Sequence, residues 1–423
     1  MKPGIVARLR NAGPLLALFA TASWLHADAG DIKCPWAEFH GPRRDNISPD
    51  TGLLKQWPKD GPALLWKYAE CGRGYPTVTI ADGMLFSAGD FADAEMLIAL
   101  DLDGKLLWKA ENAKSWKGAM PGARAVPTYD AGVLYHLNPT GRLAAYEAKS
   151  GKEVWAVDLK KEYDAQFGTW ALAENVLIDG KTLFCAPGGT KGRIVALDKA
   201  TGKVLWANTD VSDRAAYCSP ILVTVGGKRQ LVTAMQKTIV SVDAKTGKLL
   251  WTHQHETKND QNVTSPIYWD GRLFASSGHG TGGRLLALSP DGASVTEAWL
   301  NKDLDNCHGG VVLRDGCFFG SGCRLFGKGF VCVDFATGKT LYNEKSLGKV
   351  SITYADGMLY CLSDRARMSL VEANRTACRI VSQFDLPKES RELCLSHPVV
   401  CGGRLYVRHW NNLYVYDVRA EGR

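Results

Sequence analysis

The stretch IVALDKATGKVLW, Ile194 to Trp206, decides the fold. Ile194, Ala196 and Asp198 alternate with Val195 and Leu197, the period of a β-strand. The turn DKATGK follows. Gly202 stands where a four- or five-residue hairpin loop needs a left-handed backbone. A second strand then ends on Trp206. The unit returns as IALDLDGKLLW (Ile98 to Trp108), AAYEAKSGKEVW (Ala144 to Trp155) and IVSVDAKTGKLLW (Ile239 to Trp251). Weaker copies are LLALSPDGASVTEAW (Leu285 to Trp299), FVCVDFATGKTLY (Phe330 to Tyr342), SLVEANRTACRIVSQF (Ser369 to Phe384) and NLYVYDV (Asn412 to Val418).

The anchor position of each copy is Asp101, Glu147, Asp198, Asp243, Ser289, Asp334, Glu372 and Asp417, at spacings of 38 to 51 residues. A turn with an alternating strand precedes each copy, as in ADGMLFSAG and WDGRLFASSG, and a short apolar strand such as CSPILV precedes that. Four short antiparallel strands repeated in this way describe a propeller blade. The fold expected is all-β, an eight-bladed β-propeller of four-stranded antiparallel blades. The eighth unit stops soon after Asp417 with no outer strand, while PALLWKY (Pro62 to Tyr68) stands ahead of the first unit. That N-terminal strand is expected to close the last blade and leave no open edge. Trp66, Trp108, Trp155, Trp206, Trp251 and Trp299, with Tyr342 and Phe384, are expected to dock blade on blade.

Composition agrees with a globular chain: 423 residues, 45% hydrophobic and 22% charged, with 44 glycines for tight turns. The net charge of +7 is spread without a Lys/Arg run, which excludes a nucleic-acid footprint. Residues 1–29 read as a signal peptide. Lys2, Arg8 and Arg10 precede an apolar stretch from Leu15 to Leu25, and Ala27-Asp28-Ala29 offers a cleavage site. No other segment is apolar enough to span a bilayer. The first cysteine, Cys34, follows Asp31-Ile32-Lys33, which does not suit a lipid anchor. The reading is an exported monomer, periplasmic or extracellular: signal 1–29, lead-in 30–61, propeller 62–419, tail 420–423.

All 12 cysteines lie beyond the signal, and neither CxxC nor CxxCH occurs, so zinc-ribbon, thioredoxin and attached-haem readings fall away. Cys317, Cys323 and Cys332 fall on one expected hairpin and are the nearest set for local pairing.

Loops leading into the innermost strands share one face with the loops joining second and third strands. The TGK turns occupy the other. The mouth-loop residues Arg124, Trp170, Arg214, Tyr217, Asn262, His308, Lys349 and His397, beside Tyr75, are the candidate ligand-binding set. Arg124, Arg214 and Lys349 with the aromatics suit a flat polyanionic ligand. CAPGGTKGR (Cys185 to Arg193) and SSGHGTGGR (Ser276 to Arg284) reach the same face but lack phosphate-loop spacing, and read as hairpins. His279 reads as a solitary exposed side chain. No fixed spacing gives His308 and His397 a third ligand, so no metal site is expected. No catalytic residue is assigned, because no nucleophile motif occurs.

The unit A-x-D-x-x-T-G-K-x-x-W, clearest at Ala196 to Trp206, resembles the tryptophan-docking repeat of the quinoprotein alcohol dehydrogenase-like superfamily. The opening WAEFHGPRRDNISPDTGLLKQWPKDGPALLW (Trp36 to Trp66) is similar to the start of bacterial exported PQQ-like repeat proteins. The same repeat occurs in BamB, the propeller lipoprotein of the outer-membrane barrel-assembly machine, a non-enzymatic scaffold. Some superfamily members bind pyrroloquinoline quinone (PQQ), a tricarboxylate. The chain lacks the adjacent cysteine pair of the alcohol-oxidising quinoproteins, the CxxCH of the quinohaem branch and the lipidated cysteine of the scaffold. The resemblance, with these departures, implies an exported non-enzymatic scaffold that needs no cofactor and binds an envelope protein or glycan on its mouth-loop face. The alternative it implies is a PQQ- and calcium-dependent dehydrogenase of alcohols or sugars. That chemistry would draw an aspartate base and calcium ligands from Asp260, Asn262, Asp303, Asp305 and Asn306.

Overall fold

The computed structural model describes Met1 and residues 35–323 and 329–420. Residues 2–34, which hold the rest of the expected signal segment and Cys34, and residues 421–423 of the expected tail lie outside the described residues. The described strands form eight four-stranded antiparallel sheets. Seven are sequential meanders over residues 79–114, 128–158, 177–208, 221–254, 267–301, 311–344 and 350–385, called blades 1 to 7. Blade 8 joins Val399–Cys401, Arg404–His409 and Asn412–Asp417 to Leu64–Tyr68 from the far end of the sequence. Tyr68 lies opposite Leu413, and Leu64 opposite Tyr416. The ring is therefore closed by the chain's own N-terminal strand.

Burial follows from this stacking. A blade's middle strands are covered on both faces by neighbouring blades, so Ile194 to Leu197 are buried without alternation. The outermost strand faces solvent, and Val204 and Leu205 are exposed there. Asp-Gly pairs make the tight turns between first and second strands. Asp82 and Gly83 both take positive φ, at 49° and 71°, the type I′ geometry that matches strand twist.

Blade docking uses one contact repeatedly. The indole N–H donates to a carbonyl of the next blade: Trp66 to Leu102 (2.9 Å), Trp108 to Ala148 (3.0 Å), Trp155 to Lys199 (2.9 Å), Trp206 to Ala244 (3.2 Å) and Trp299 to Phe335 (3.0 Å). The ring covers the turn glycine of that blade. A Cβ on Gly202 would lie 2.7 Å from Trp155, and Gly202 also has φ of 69°. Glycine is thus required both by conformation and by space.

Three units depart from this pattern. Trp251 donates to Gln230 of its own blade, and the Gln230 amide carries the link onward to the Gly292 carbonyl (2.9 Å). Tyr342 reaches Asn374 through its hydroxyl (3.1 Å), because the blade 7 turn NRTACR holds no glycine. Phe384 lies on Gly61, just before the closing strand, at a would-be Cβ distance of 2.7 Å. Blade 8 has no third-to-fourth-strand turn, since those strands come from opposite ends of the chain, and Gly61 fills the role.

The segment from Trp36 to Ser48 runs inside the innermost strands. Ile80 of blade 1 donates to the Trp36 carbonyl (2.9 Å), and Tyr129 of blade 2 to that of Ala37 (2.8 Å). Tyr354 of blade 7 exchanges backbone bonds with Asn46 and Ser48, each 2.8 Å. The Arg44 guanidinium donates to the carbonyls of Asn175 (2.9 Å) and Val176 (3.2 Å) ahead of blade 3. Trp36, His40, Arg44, Asn46 and Ser48 are buried. The lead-in fills the central channel from within.

The cysteine expectation needs correction. Cys317 and Cys332 do neighbour each other on paired strands of blade 6, but Cys323 lies beyond the strand end and turns to Cys307. The hairpin's register separates what its sequence brought together.

Candidate functional site

The mouth loops enclose a cavity of about 480 Å³ above the channel plug. Phe39 and His40 of the plug line it, with Tyr75 and Thr77 ahead of blade 1 and Met120 and Arg124 ahead of blade 2. Trp170 and Tyr217 come from the loops into blades 3 and 4, His308 and Lys349 from those into blades 6 and 7, and His397 from that into blade 8. Of the eight candidates from sequence, the structure brings together Arg124, Trp170, Tyr217, His308, Lys349 and His397. Arg214 stays outside the lining, held to Asp260 (3.2 Å) and the Gln236 side chain (3.2 Å). Asn262 is fully buried beneath. Its amide donates to the carbonyls of Met235 (2.7 Å) and His255 (2.9 Å) and accepts from Ser277 (2.6 Å).

The aromatic wall is fixed by close backbone approaches. Trp170 and Tyr217 meet edge to face at 5.9 Å, and the Tyr217 hydroxyl would lie 2.5 Å from a Cβ on Gly168. Tyr75 packs on Trp410 at 5.4 Å. Phe39 stacks on His40 at 3.7 Å, and His40 lies 4.7 Å from His397. His397 donates from Nε2 to the His308 carbonyl (2.9 Å).

These imidazoles are uncharged at neutral pH. Burial holds His40 and His308 well below the usual histidine range, and it lowers His397 to about 4. The cavity's positive charge therefore rests on Arg124 and Lys349. Burial lowers Arg124 from its ordinary value without discharging it, since arginine stays protonated. Arg124 donates to the Ala119 (2.8 Å) and Met120 (2.7 Å) carbonyls. Its Nε, with His40 Nε2 and His397 Nδ1, is a buried polar atom with no partner among the described residues.

The cavity continues into a groove between blades 7 and 8, sharing Lys349, Asp364 and Leu393 with it. Lys345, Lys349, Arg365, Arg367, Lys388 and Arg391 line this groove against Asp364, Asp385 and Glu392. Basic side chains outnumber acidic ones two to one there.

The other wall holds a feature that spacing concealed. His279 is half-buried rather than solitary, and its ring meets the Gln261 side chain and the Cys307 thiol. Sequence reading also missed Phe39, His40, Gln261, Cys307, Cys323 and Asp364 as lining residues. No motif marks them. They gather because four loops and the plug converge.

Calcium does not fit this cavity. Among the described residues lining it, Asp364 alone carries a carboxylate, against four imidazoles and two thiols. Calcium takes six to eight oxygens. The five oxygen-bearing residues considered for it lie outside the lining. Asp260 pairs with Arg214, Asp303 accepts from Thr340 (2.8 Å), and Asp305 accepts from the Gly280 N–H (2.9 Å). Asn306 donates to the Ser321 carbonyl (2.9 Å), and Asn262 is engaged as above.

The molecule is thus an eight-bladed propeller with a plugged channel and a basic cavity and groove at one mouth. The family model described as outer membrane protein assembly factor BamB matches residues 92–344, more than half the chain, and the chain belongs to that family. The BamB structure from Moraxella catarrhalis superposes with a TM-score of 0.55 at 17% identity, covering 79% of this chain and 95% of that one. Quinohemoprotein alcohol dehydrogenase from Comamonas testosteroni superposes at 0.66 with 13% identity, covering 92% and 81%. Such likenesses describe the fold. By sequence, the chain is 29% identical over 153 residues to the quinohemoprotein alcohol dehydrogenase ADH-IIG of Pseudomonas putida, 34% of this chain and 21% of that protein. The chain spans about a fifth of that relative's length. Among the described residues, no helix is long and apolar enough to cross a membrane.

Proposed function

We propose that the chain is an exported, non-enzymatic binding propeller that seats an acidic segment of an envelope protein partner on its mouth-loop face. The observation that carries this reading is the continuity of the cavity with the basic groove between blades 7 and 8. An extended acidic segment laid along Arg365, Arg391 and Lys388 would end in the cavity beside Lys349 and Arg124. Aromatic walls there supply apolar area at low entropic cost. Family membership supports a protein partner, since the matched description is of an assembly factor. The donor set argues against the calcium-dependent dehydrogenase alternative.

The test is a titration of the purified protein with a fluorescent oligoglutamate peptide at low salt. Saturable binding is expected, weakening by roughly tenfold in an Arg365→Glu/Arg391→Glu variant and on raising salt. An oligouronate that competes better than the peptide would assign the face to a glycan. Saturable quenching of tryptophan fluorescence by PQQ with calcium would overturn the non-enzymatic reading.

A further inference from the structure

The structure assigns a soft-cation site to His279, Cys307 and Cys323 in the cavity wall, and we propose that it binds a zinc-class metal ion. This goes beyond partner binding and does not rest on it. The three ligand atoms come from three separate places: the hairpin between the second and third strands of blade 5, the loop into blade 6, and the residues after the Cys317–Ser321 strand. His Nε2 or Nδ1 and the two Sγ atoms all lie within 4.8 Å of one another. Cys307 Sγ and His279 Nε2 are 4.0 Å apart. Ordinary zinc–sulfur and zinc–nitrogen bonds are about 2.3 and 2.0 Å, so their combined reach spans that gap, and one ion can touch both with little movement.

The backbone is shaped for this contact. His279 has φ of 61°, a left-handed conformation that non-glycine residues seldom adopt and that concentrates at functional sites. It is flanked by Gly278 and Gly280. A Cβ on Gly278 would lie 3.0 Å from the Cys307 Cβ and 3.4 Å from that of Cys323. Absence of that atom is what lets the hairpin rest on both cysteines and aim the imidazole between them.

The donor chemistry selects the ion. Two sulfurs and one imidazole suit zinc or copper(I) and repel calcium and magnesium. Gln261 Oε1 lies 3.8 Å from Cys307 Sγ and also meets the His279 ring, so an amide oxygen stands ready at the fourth position. All four residues line the cavity. Three protein ligands with a weak or open fourth position is the pattern of zinc sites that exchange a ligand, rather than of closed structural sites. An ion here would also present a positive charge to whatever enters from the groove.

The experiment uses the full chain, reduced and handled anaerobically, with thiols counted before each titration. Cobalt(II) serves as the spectroscopic probe. One equivalent is expected to give a thiolate-to-cobalt charge-transfer band and the intense visible bands of a four-coordinate site, both bleached by zinc(II). Cys307→Ser and Cys323→Ser should each weaken the band and its affinity by roughly 100-fold or more, beyond the loss typical of an outer-shell change. His279→Gln should shift the visible bands and weaken binding similarly. Cys361→Ser, a buried cysteine of blade 7, should bind like the parent. No charge-transfer band in folded protein with its thiols shown free would overturn the proposal, as would a band that survives in the Cys307→Ser/Cys323→Ser protein.

Discussion

The Trp66 indole donates to the Leu102 carbonyl at 2.9 Å, so the strand that completes the last blade is also the strand that docks it onto the first. Ring closure therefore depends on residues 64–68, which have no other tie to the eighth unit in sequence. Removing the Trp66 ring empties the space over Gly104, whose Cβ position lies 2.6 Å from it. Trp66→Ala should cost about 3 kcal/mol, near the low end for a large aromatic because Trp66 is only half-buried. A urea melt checks this. Gly104→Ala should cost about 1–3 kcal/mol by steric overlap and strain at its φ of 84°. The pair should be strongly non-additive, since each mutation damages the same contact.

The channel plug invites a second test. Arg44 is buried, pairs with Glu38 at 2.7 Å and holds two backbone carbonyls at the start of blade 3. Arg44→Ala leaves Glu38 and both carbonyls without their donor, a loss of about 3 kcal/mol. The loss should be local before it is global. Limited proteolysis should cut within residues 38–48 of the variant while the blades stay intact. Equal resistance in parent and variant would show that the backbone pairing to Ile80 and Tyr354 holds the plug alone.

Much of this molecule was legible in its residues, and the boundary of legibility is physical. The blades announce themselves because each strand pair must solve the same local problem, and DKATGK or DG is the solution. The closing strand was readable from an absence, an eighth unit without its outer strand. The plug was not readable. Trp36 to Ser48 has neither strand alternation nor helix period, because it pairs with several blades in turn and no single face governs it. At the site, inner-strand loops could be placed on the mouth face by topology, which located Arg124, Trp170 and His397. Arg214 and Asn262 share that loop position, but one was drawn to Asp260 and the other into a buried hydrogen-bond set. The His279, Cys307 and Cys323 cluster left no spacing signal, since its members join only when blades 5 and 6 pack.

Glu174 gives a prediction about alkaline pH. It is buried, accepts the Ala186 N–H at 2.9 Å, and burial raises its carboxyl to about 8, offset in part by that bond and by Arg44. The folded state therefore holds a proton that the unfolded chain releases near the ordinary glutamate range. Its contribution is fully present below about pH 4.3 and is lost as pH rises towards 8, at about 1.4 kcal/mol per pH unit. Glu174→Gln keeps a neutral group in the same place. It should flatten this part of the stability curve and leave the variant more stable than the parent at pH 8. A parent-like slope in the variant would mean the carboxyl ionises freely in the fold.

His255 and His397 set the opposite limb. Burial lowers His255 to about 3, helped by Arg284, His253 and Lys302, and lowers His397 to about 4. Both rings are neutral in the folded state, and the unfolded chain takes up their protons near pH 6.5. Here the unfolded state binds more protons, so stability is present above pH 6.5 and falls as pH drops towards 4. These two groups contribute roughly 2–3 kcal/mol per pH unit over that window, and His40 and His308, which burial also holds well below the usual range, add to it. The groups differ in what else they hold. His255 bonds the Ser277 hydroxyl at 2.9 Å deep in blade 5's mouth, whereas His397 bonds the His308 carbonyl at the cavity. His397→Gln, with a neutral amide able to donate to that carbonyl, should remove about 1.4 kcal/mol per pH unit from the acid slope and leave the neutral-pH stability within about 1 kcal/mol. Thermal melts from pH 4 to 7 decide it. An unchanged slope would show that His397 is protonated in the fold, and the cavity would then carry a third positive charge beside Arg124 and Lys349.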